Sequence, residues 1–432
     1  MARLPDVSVA RGLADFVGAD HVLTDPDRCV AYGTDWTRRW SVTPQAVVRP
    51  GSTDEVSGVL GWCAARGVGV VPQGGNTGLV GGSVPNRPEQ IVLSTLRLTG
   101  LEAVDHVSRQ VTVGAGATIA AVQAHAGSAG LAYGVDLASR DSATVGGTLA
   151  TNAGGIRVVA HGDSRAQLVG LQAVLPDGSV VDHLAGLPKD SAGYDLSGLL
   201  VGSEGTLGVV TAARLRLVSP LPSGRITSLL GVASVRQAQA AVDQPGVLAA
   251  ELVAGAAMEL VCEVTGLPFP LSGRWPYYVL VETVQPPDLP DGSDAVVDRR
   301  LWAYRERLTE AVATLGVVHK LDVAVPGHRL VDLVERLPAA WAPFQGFVFG
   351  HLAEANLHVE IVGAAPDDDA VDERVLRLVA GLGGTISAEH GVGRAKAKWL
   401  GLSRSDAEMA AMRGIKTALD PHRIMNPGVL LG

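Results

Sequence analysis

Val70-Val71-Pro72-Gln73-Gly74-Gly75-Asn76-Thr77-Gly78-Leu79-Val80-Gly81-Gly82-Ser83 leaves an apolar run and then places five glycines in nine positions. Glycine reaches backbone conformations with φ > 0 and lets main chain approach a ligand with no Cβ in the way. Successive bare N–H groups in such a loop form a concave nest for anions, phosphate above all. Asn76, Thr77 and Ser83 add side-chain donors to the same loop. A tight surface turn is the plainer reading, but two glycines would satisfy it. The loop matches neither GxxxxGK[ST] nor a GxGxxG that opens a helix, which argues against a P-loop and against a Rossmann site. It reads as a pyrophosphate cradle of another architecture.

Two more polar, glycine-laden blocks follow. The second runs from Asp136 through Ser142, Gly146 and Gly147 and continues as Thr151-Asn152-Ala153-Gly154-Gly155; the third is Gly202-Ser203-Glu204-Gly205-Thr206-Leu207-Gly208-Val209. The blocks share no repeat period, so the chain is not a solenoid. They point to one long ligand threaded through a single domain. Around them the pattern is strand and helix: strands at 46–49, 69–72, 91–94 and 110–114, a helix capped by Ser52 or Thr53 that runs to about Arg66, and a helix at 119–129. Residues 1–43 carry short helical patterns and an aromatic, basic segment at 32–40, read as a packing arm. A proline-rich break at 220–224 divides a ligand-binding domain at 44–219 from a second domain at 220–432. In the second, strands are expected at 277–282 and 346–350, an exposed loop at 285–292, one long helix at 299–315, a helix starting at 367–369 and a turning tail at 420–428.

The bulk numbers narrow the class. A chain of 432 residues is too long for one ordinary core. Hydrophobic residues make up 47% and charged residues 18%, which excludes global disorder. A formal net charge of −9 gives no electrostatic reason to bind nucleic acid. No run of 18 apolar residues occurs, so no transmembrane segment is expected. The opening six residues have no apolar stretch of the kind that secretory signals carry. Cys29, Cys63 and Cys262 form no CxxC, which disfavours a disulfide framework, a zinc knuckle or an iron–sulfur cluster held by this chain. A cytoplasmic protein is expected.

Three stretches carry side chains suited to chemistry. In Gly350-His351-Leu352-Ala353-Glu354-Ala355-Asn356-Leu357-His358-Val359-Glu360-Ile361, the apolar residues alternate with His358 and Glu360, so a strand points those two to one face. His351 and His358 would serve as ligands of a divalent metal or as a hydrogen-bonded structural pair. Ser387-Ala388-Glu389-His390-Gly391 favours the metal, because Glu389 would complete a set of two imidazoles and one carboxylate with open positions. His390 would then be free as a general base, imidazole being the side chain that changes charge near neutrality. Arg305 and Thr309 stand four apart on a helix, as a carboxylate clamp or as solvated surface. Lys320 sits inside an apolar strand in a chain with only 5 lysines among 35 basic residues, so it is a candidate too.

Together these motifs resemble the FAD-dependent D-2-hydroxyacid dehydrogenases, whose FAD domain is of the vanillyl-alcohol-oxidase/PCMH type. The likeness covers nearly the whole chain and is closest to the 2-hydroxyglutarate enzymes, with D-lactate dehydrogenase and the flavin subunit of glycolate oxidase nearby. It implies an α+β protein: a two-subdomain FAD-binding domain, then a substrate domain with an antiparallel sheet and a C-terminal helical segment. FAD would be held by Pro72, Gly74, Gly75, Asn76, Thr77, Gly78, Leu79, Gly82 and Ser83 at the pyrophosphate. Asp136, Ser142, Gly146, Gly147, Thr151, Asn152, Gly154 and Gly155 would lie along it, Glu204, Gly208 and Val209 near the adenine, and Asn426 in the tail. Asn76 stands where relatives with covalent FAD often carry histidine, so noncovalent binding is implied. The resemblance makes His351, His358 and Glu389 ligands of a divalent metal, zinc or manganese. It makes His390 the base, and Arg305, Thr309, Lys320 and Asn356 substrate contacts.

The implied reaction oxidises a 2-hydroxyglutarate-, lactate- or glycolate-like acid by hydride transfer to flavin N5. The electron acceptor stays open between an electron-transfer flavoprotein, a quinone and a separate iron–sulfur subunit, and a homodimer is one assembly open to it. Alternatives are an alditol or sugar-lactone oxidase on the same scaffold, or a flavin subunit that relays electrons in an iron–sulfur complex. The chain departs from the family motif: Ala353 and Ala355 replace glycines, Glu354 replaces aspartate, and Glu360 stands where 2-hydroxyglutarate enzymes carry asparagine. A fixed anion at 360 repels a dicarboxylate unless it is protonated, metal-bound or salt-bridged.

Overall fold

A computed structural model describes residues 8–432; the opening six-residue segment judged above for a secretory signal lies outside the described residues. Three sheets organise the chain. The first contains β1 (Val22–Leu23), β2 (Ala46–Val48), β3 (Val70–Gln73) and β4 (Ile91–Ser94) in the order β1-β2-β4-β3, parallel but for the β1–β2 pair. β2 and β4 are continuously buried, as expected of parallel strands covered on both faces. The Thr53–Arg66 helix covers one side. Ser52 caps its first turn and Gly67, at φ 67°, ends it. Leu13 and Val17 of the Val9–Val17 helix join the same core, and β1 pairs with β2, so the N-terminal arm is an integral part of this sheet.

The second sheet is antiparallel, ordered β5-β8-β6-β7 from β5 (Gln110–Gly114), β6 (Leu168–Val174), β7 (Val180–Asp182) and β8 (Val209–Arg216). The third has seven antiparallel strands: β9 (Ile226–Val232), β10 (Val247–Ala254), β11 (Tyr277–Thr283), β12 (Asp294–Val297), β13 (Val318–Ala324), β14 (Gln345–His351) and β15 (Asn356–Val362). Their order is β12-β9-β11-β10-β14-β15-β13. Strand periodicity sorts its residues. Leu321, Val323, Leu357, Val359 and Ile361 face one core, which the Leu330–Trp341 and Asp369–Gly381 helices cover. Phe347 and Phe349 face the opposite core, with the Gly255–Thr265 helix. On that second face, toward the β13 edge, the apolar residues give way to titratable ones.

One expectation needs correction. The long helix at 299–315 is broken: Trp302–Glu306 and Leu308–Ala313 are separate helices that meet at Arg307, so Arg305 and Thr309 do not share one continuous helical face. The tail packs back along the first sheet. Val70 N–H donates to the Ile424 carbonyl at 2.7 Å and Asn426 N–H to the Val70 carbonyl at 2.8 Å, which threads residues 424–426 along β3. The Asp406–Leu419 helix before it, closed by a Ser405–Glu408 capping box, lays Ile415 and Leu419 on the core of the second sheet.

Candidate functional site

The glycine loop leaves β3 and runs to Ser83. Among the described residues, none of its backbone N–H groups from 74 to 83 finds an acceptor in the protein. Such groups are nearly always paired in folded chains, so a run of free ones is the donor set of an anion nest. Packing holds the loop in this shape. A Cβ on Gly74 would strike Thr144, and one on Gly75 would strike the Ser142 carbonyl, so the first two glycine blocks interlock. Gly78 has open space beside it. Asn76 sits at φ 53°, donates to the Thr34 carbonyl at 2.8 Å and accepts from Ser83 Oγ at 2.7 Å. Its amide therefore shapes the cradle. Asn426 Nδ2 donates to the Gly82 and Glu204 carbonyls at 2.9 and 2.7 Å, while its buried Oδ1 has no partner among the described residues. An unpaired nest with room beside it and an orphaned buried acceptor fits a diphosphate cofactor.

Some residues expected along the cofactor are committed elsewhere. Glu204 is not available to an adenine. Its two carboxylate oxygens accept the Val392 and Gly393 N–H groups at 2.8 and 2.7 Å, and burial raises its pKa. Val209 is buried and paired with Val174, and a Cβ on Gly208 would crowd the Val174 carbonyl, so both serve β8. Asn152 spends its amide on Asp163 and on the Arg165 N–H. A Cβ on Gly146 would stand 2.8 Å from that of Ala115.

The third sheet builds the other half of the site as cross-strand pairs. Glu251 of β10 lies opposite His351 of β14, Asp322 of β13 opposite His358 of β15, and Lys320 opposite Glu360. Directly opposed side chains on one face are near neighbours. His351 Nδ1 meets Glu251 Oε1 at 2.5 Å, and Glu251 Oε2 accepts Arg305 Nε at 2.5 Å. Burial alone would raise the Glu251 carboxyl, but Arg305 and His351 outweigh it and bring it down to about 2. Glu251 thus orients an imidazole and a guanidinium together.

Glu389 is the point of convergence. Its Oε1 lies 3.3 Å from His351 Nε2, 3.7 Å from His358 Nε2 and 3.8 Å from His390 Nε2. Its Oε2 accepts the Gly155 N–H at 3.0 Å, which joins this cluster to the second glycine block. The His358 and His390 rings stack, with centroids 5.3 Å apart and planes 6° apart. Burial and then the Arg305 charge depress His358 to about 3, so it is a neutral imidazole. Its Nδ1 stops 3.6 Å from Asp322 Oδ1, too far for a hydrogen bond, and is buried without a partner among the described residues. For His351 burial opposes the charge, yet Glu251 and Glu389 raise it well above the ordinary value. Burial would raise Glu389, but the His351 charge and its hydrogen bond hold it well below the usual range.

Three nitrogens around one carboxylate oxygen, with a neutral imidazole and a carboxylate behind His351, form a donor set that fits a divalent ion. Asp322, His358, Glu389 and His390 also offer ligand atoms within 4.8 Å of one another. Asp322, however, is already spent. Its Oδ2 accepts the Ala388, Glu389 and His390 N–H groups at 3.0, 2.7 and 2.9 Å, and its Oδ1 accepts Asn356 Nδ2 at 2.7 Å. Asp322 pins the loop that carries Glu389 and His390. Asn356, expected to touch substrate, instead gives its amide hydrogens to Asp322 and to the Val323 carbonyl.

Glu251, Asp322 and Trp36 were not singled out in the sequence. Glu251 and Asp322 are lone acids inside apolar strands, the same signal that marked Lys320. Trp36, in the arm, places its ring 5.3 Å from the Lys320 ammonium. Arg305 keeps its terminal nitrogens free of protein acceptors among the described residues, 4.9 Å above the Phe349 ring. Lys320 Nζ lies 3.6 Å from Glu360 Oε1. Burial pushes the Glu360 carboxyl up to about 7 against the pull of Lys320.

Comparison with known proteins agrees with this architecture. Residues 44–183 match the FAD binding domain family, and residues 221–430 match the C-terminal domain of FAD linked oxidases. The D-2-hydroxyglutarate dehydrogenase of Xanthomonas citri pv. viticola is 38% identical over 97% of this chain and 96% of its own length. The mitochondrial D-2-hydroxyglutarate dehydrogenase of Bos taurus is 36% identical over 95% of this chain and 81% of its own. Among solved structures, p-cresol methylhydroxylase with substrate bound superposes with a TM-score of 0.78 over 98% of this chain and 96% of that one, at 14% identity, which shows the PCMH-type fold. No helix of the described residues is long and apolar enough to cross a membrane. The chain belongs to the FAD-dependent D-2-hydroxyacid dehydrogenases and is an FAD-dependent oxidoreductase that oxidises the CH–OH group of a 2-hydroxy acid.

Proposed function

We propose that the enzyme converts a D-2-hydroxy acid to the 2-oxo acid with the help of a divalent metal, zinc or manganese, held by His351, His358 and Glu389. The observation that carries this reading is the convergence of three imidazole nitrogens on Glu389 Oε1, beside an arginine with free terminal nitrogens and one hydrogen bond from the second glycine block. A bound divalent ion would supply Lewis acidity to the substrate hydroxyl, and bound FAD would accept the hydride from C2. The chain's own residues do the rest. Arg305, fixed at Nε by Glu251, presents its terminal nitrogens to the C1 carboxylate. His390 takes the hydroxyl proton at Nε2, its loop held in place by Asp322. The Phe349 ring and the His358–His390 stack exclude water beside the reacting carbon. Lys320 and Thr309 line the far end of the substrate.

The test combines metal analysis with anaerobic flavin reduction by D- and L-2-hydroxy acids. Purified protein should hold about one divalent ion per chain, and His358→Ala or Glu389→Gln should lose it. One D-acid should bleach the flavin and chelator should stop it. His390→Ala should keep FAD and metal but slow reduction by roughly 10²–10⁴-fold. Metal-free protein that bleaches at full rate would remove the ion from the reaction.

A further inference from the structure

The Lys320–Glu360 pair stands one step along the ladder from Asp322–His358, on the same face of the sheet. Two residues along one strand is about 6.6 Å, roughly the span of a five-carbon acid extended from its C1 carboxylate. The pair therefore lies where the far end of such a substrate would reach. Glu360 is 3% exposed, and its Oε2 has no hydrogen-bond partner among the described residues. Lys320 Nζ approaches the other oxygen only to 3.6 Å. Thr309 and Arg305 flank the carboxyl. The Trp36 ring covers Lys320 from the arm side.

Around this end of the site each cation is already engaged: Lys320 by Glu360, and Arg305 by Glu251 at Nε, its terminal nitrogens being given to the C1 carboxylate in the reading above. The chain thus places its own carboxylate in the seat that a second substrate carboxylate would need. It also leaves there an acceptor oxygen with no donor. An unpaired buried acceptor selects a ligand that brings a donor, and a second substrate carboxylate would find Lys320 already engaged.

We propose that Glu360 sets the substrate class: a D-2-hydroxy acid whose far end carries a neutral hydrogen-bond donor, an amide or a hydroxyl, in place of a second carboxylate. The inference rests on the D-2-hydroxy acid reading above and leaves the reaction at C2 unchanged.

A matched pair of substrates tests it, D-2-hydroxyglutarate and its C5 amide D-2-hydroxyglutaramate, which have nearly the same shape. Anaerobic stopped-flow flavin reduction of the FAD-loaded enzyme gives kcat/KM for each, with D-lactate as a short reference acid. The wild type should favour the amide by roughly 10-fold or more, and Glu360→Gln should shift the ratio toward the dicarboxylate by roughly 10²-fold. The wild-type ratio needs no variant, so a misfolded Glu360→Gln protein would not remove the test. A wild-type preference for the dicarboxylate, or a ratio unmoved in Glu360→Gln, overturns the proposal. Reduction by D-lactate alone overturns it too while the reaction class stands. Reduction by none of the three overturns both readings.

Discussion

At the scale of single residues, Asp322 does more than its place in an apolar strand suggests. Buried and fully shielded, it accepts three consecutive backbone N–H groups and the Asn356 amide. Burial opposes its charge, yet His390 and Lys396 hold its pKa below the ordinary carboxylate range. Asp322→Asn would turn an NH2 or a lone carbonyl oxygen toward three donors. The expected cost is about 3–5 kcal/mol of stability, seen in chemical denaturation, with a large fall in flavin reduction and FAD still bound. A variant as stable as the wild type would mean that the loop holds itself. Gly75 offers a second case. A Cβ there meets the Ser142 carbonyl, a backbone atom that cannot swing aside. Gly75→Ala should purify without bound flavin; absorbance of the purified protein decides, and a variant as yellow as the wild type would mean that the loop tolerates the displacement.

At the scale of elements, the alternation in 357–361 was legible because a strand with one apolar face must read that way, and the structure puts His358 and Glu360 on the face opposite Leu357, Val359 and Ile361. The glycine blocks were legible because interlocking loops leave no room for side chains. The pairing of strands was not legible. Glu251 and His351 are 100 residues apart, and no local pattern says that β10 will lie beside β14. The helix break at Arg307 was hidden too, since residues 299–315 contain no proline and no glycine before Gly316 to announce it. β13 also carries His319 on the reverse face, where Nδ1 meets Asp372 of the Asp369–Gly381 helix at 2.8 Å and Nε2 meets the Ala365 carbonyl at 2.9 Å. The Asp372 hydrogen bond raises the imidazole above its ordinary value, against burial. A raised folded-state pKa gives stability that is fully present below about 6.5, the unfolded value. That stability is lost as pH rises through the folded value. The stability gap between the wild type and His319→Gln should therefore narrow as pH is raised from 6 to 9. A gap that stays constant in denaturation at the two ends would mean that His319 does not titrate there.

At the scale of the molecule, the two halves are tied at the site itself. Gly155 N–H binds Glu389, Val392 and Gly393 bind Glu204, Arg394 donates to the Gly81 carbonyl at 2.8 Å, and Arg157 pairs with Glu282 at 2.8 Å. A ligand seated between such cross-links stabilises both sides through its affinity for the folded state alone, by about 2.7 kcal/mol at a hundredfold excess over Kd. Titrating FAD into flavin-free protein should raise the melting of both halves in one transition, followed by differential scanning calorimetry. Two transitions, of which FAD moves only the first, would show the halves to be independent.

The tail along β3 has a meaning in time. Asn426, which closes the cradle on the Gly82 carbonyl, comes 344 residues after it. A ribosome adding 5–20 residues per second needs roughly 20–70 s to span that interval. During it the nascent glycine loop exists without its closing strand. The cradle is therefore complete only once residue 426 has been made and laid along β3, and a chain stopped before it would lack the closing contact on Gly82.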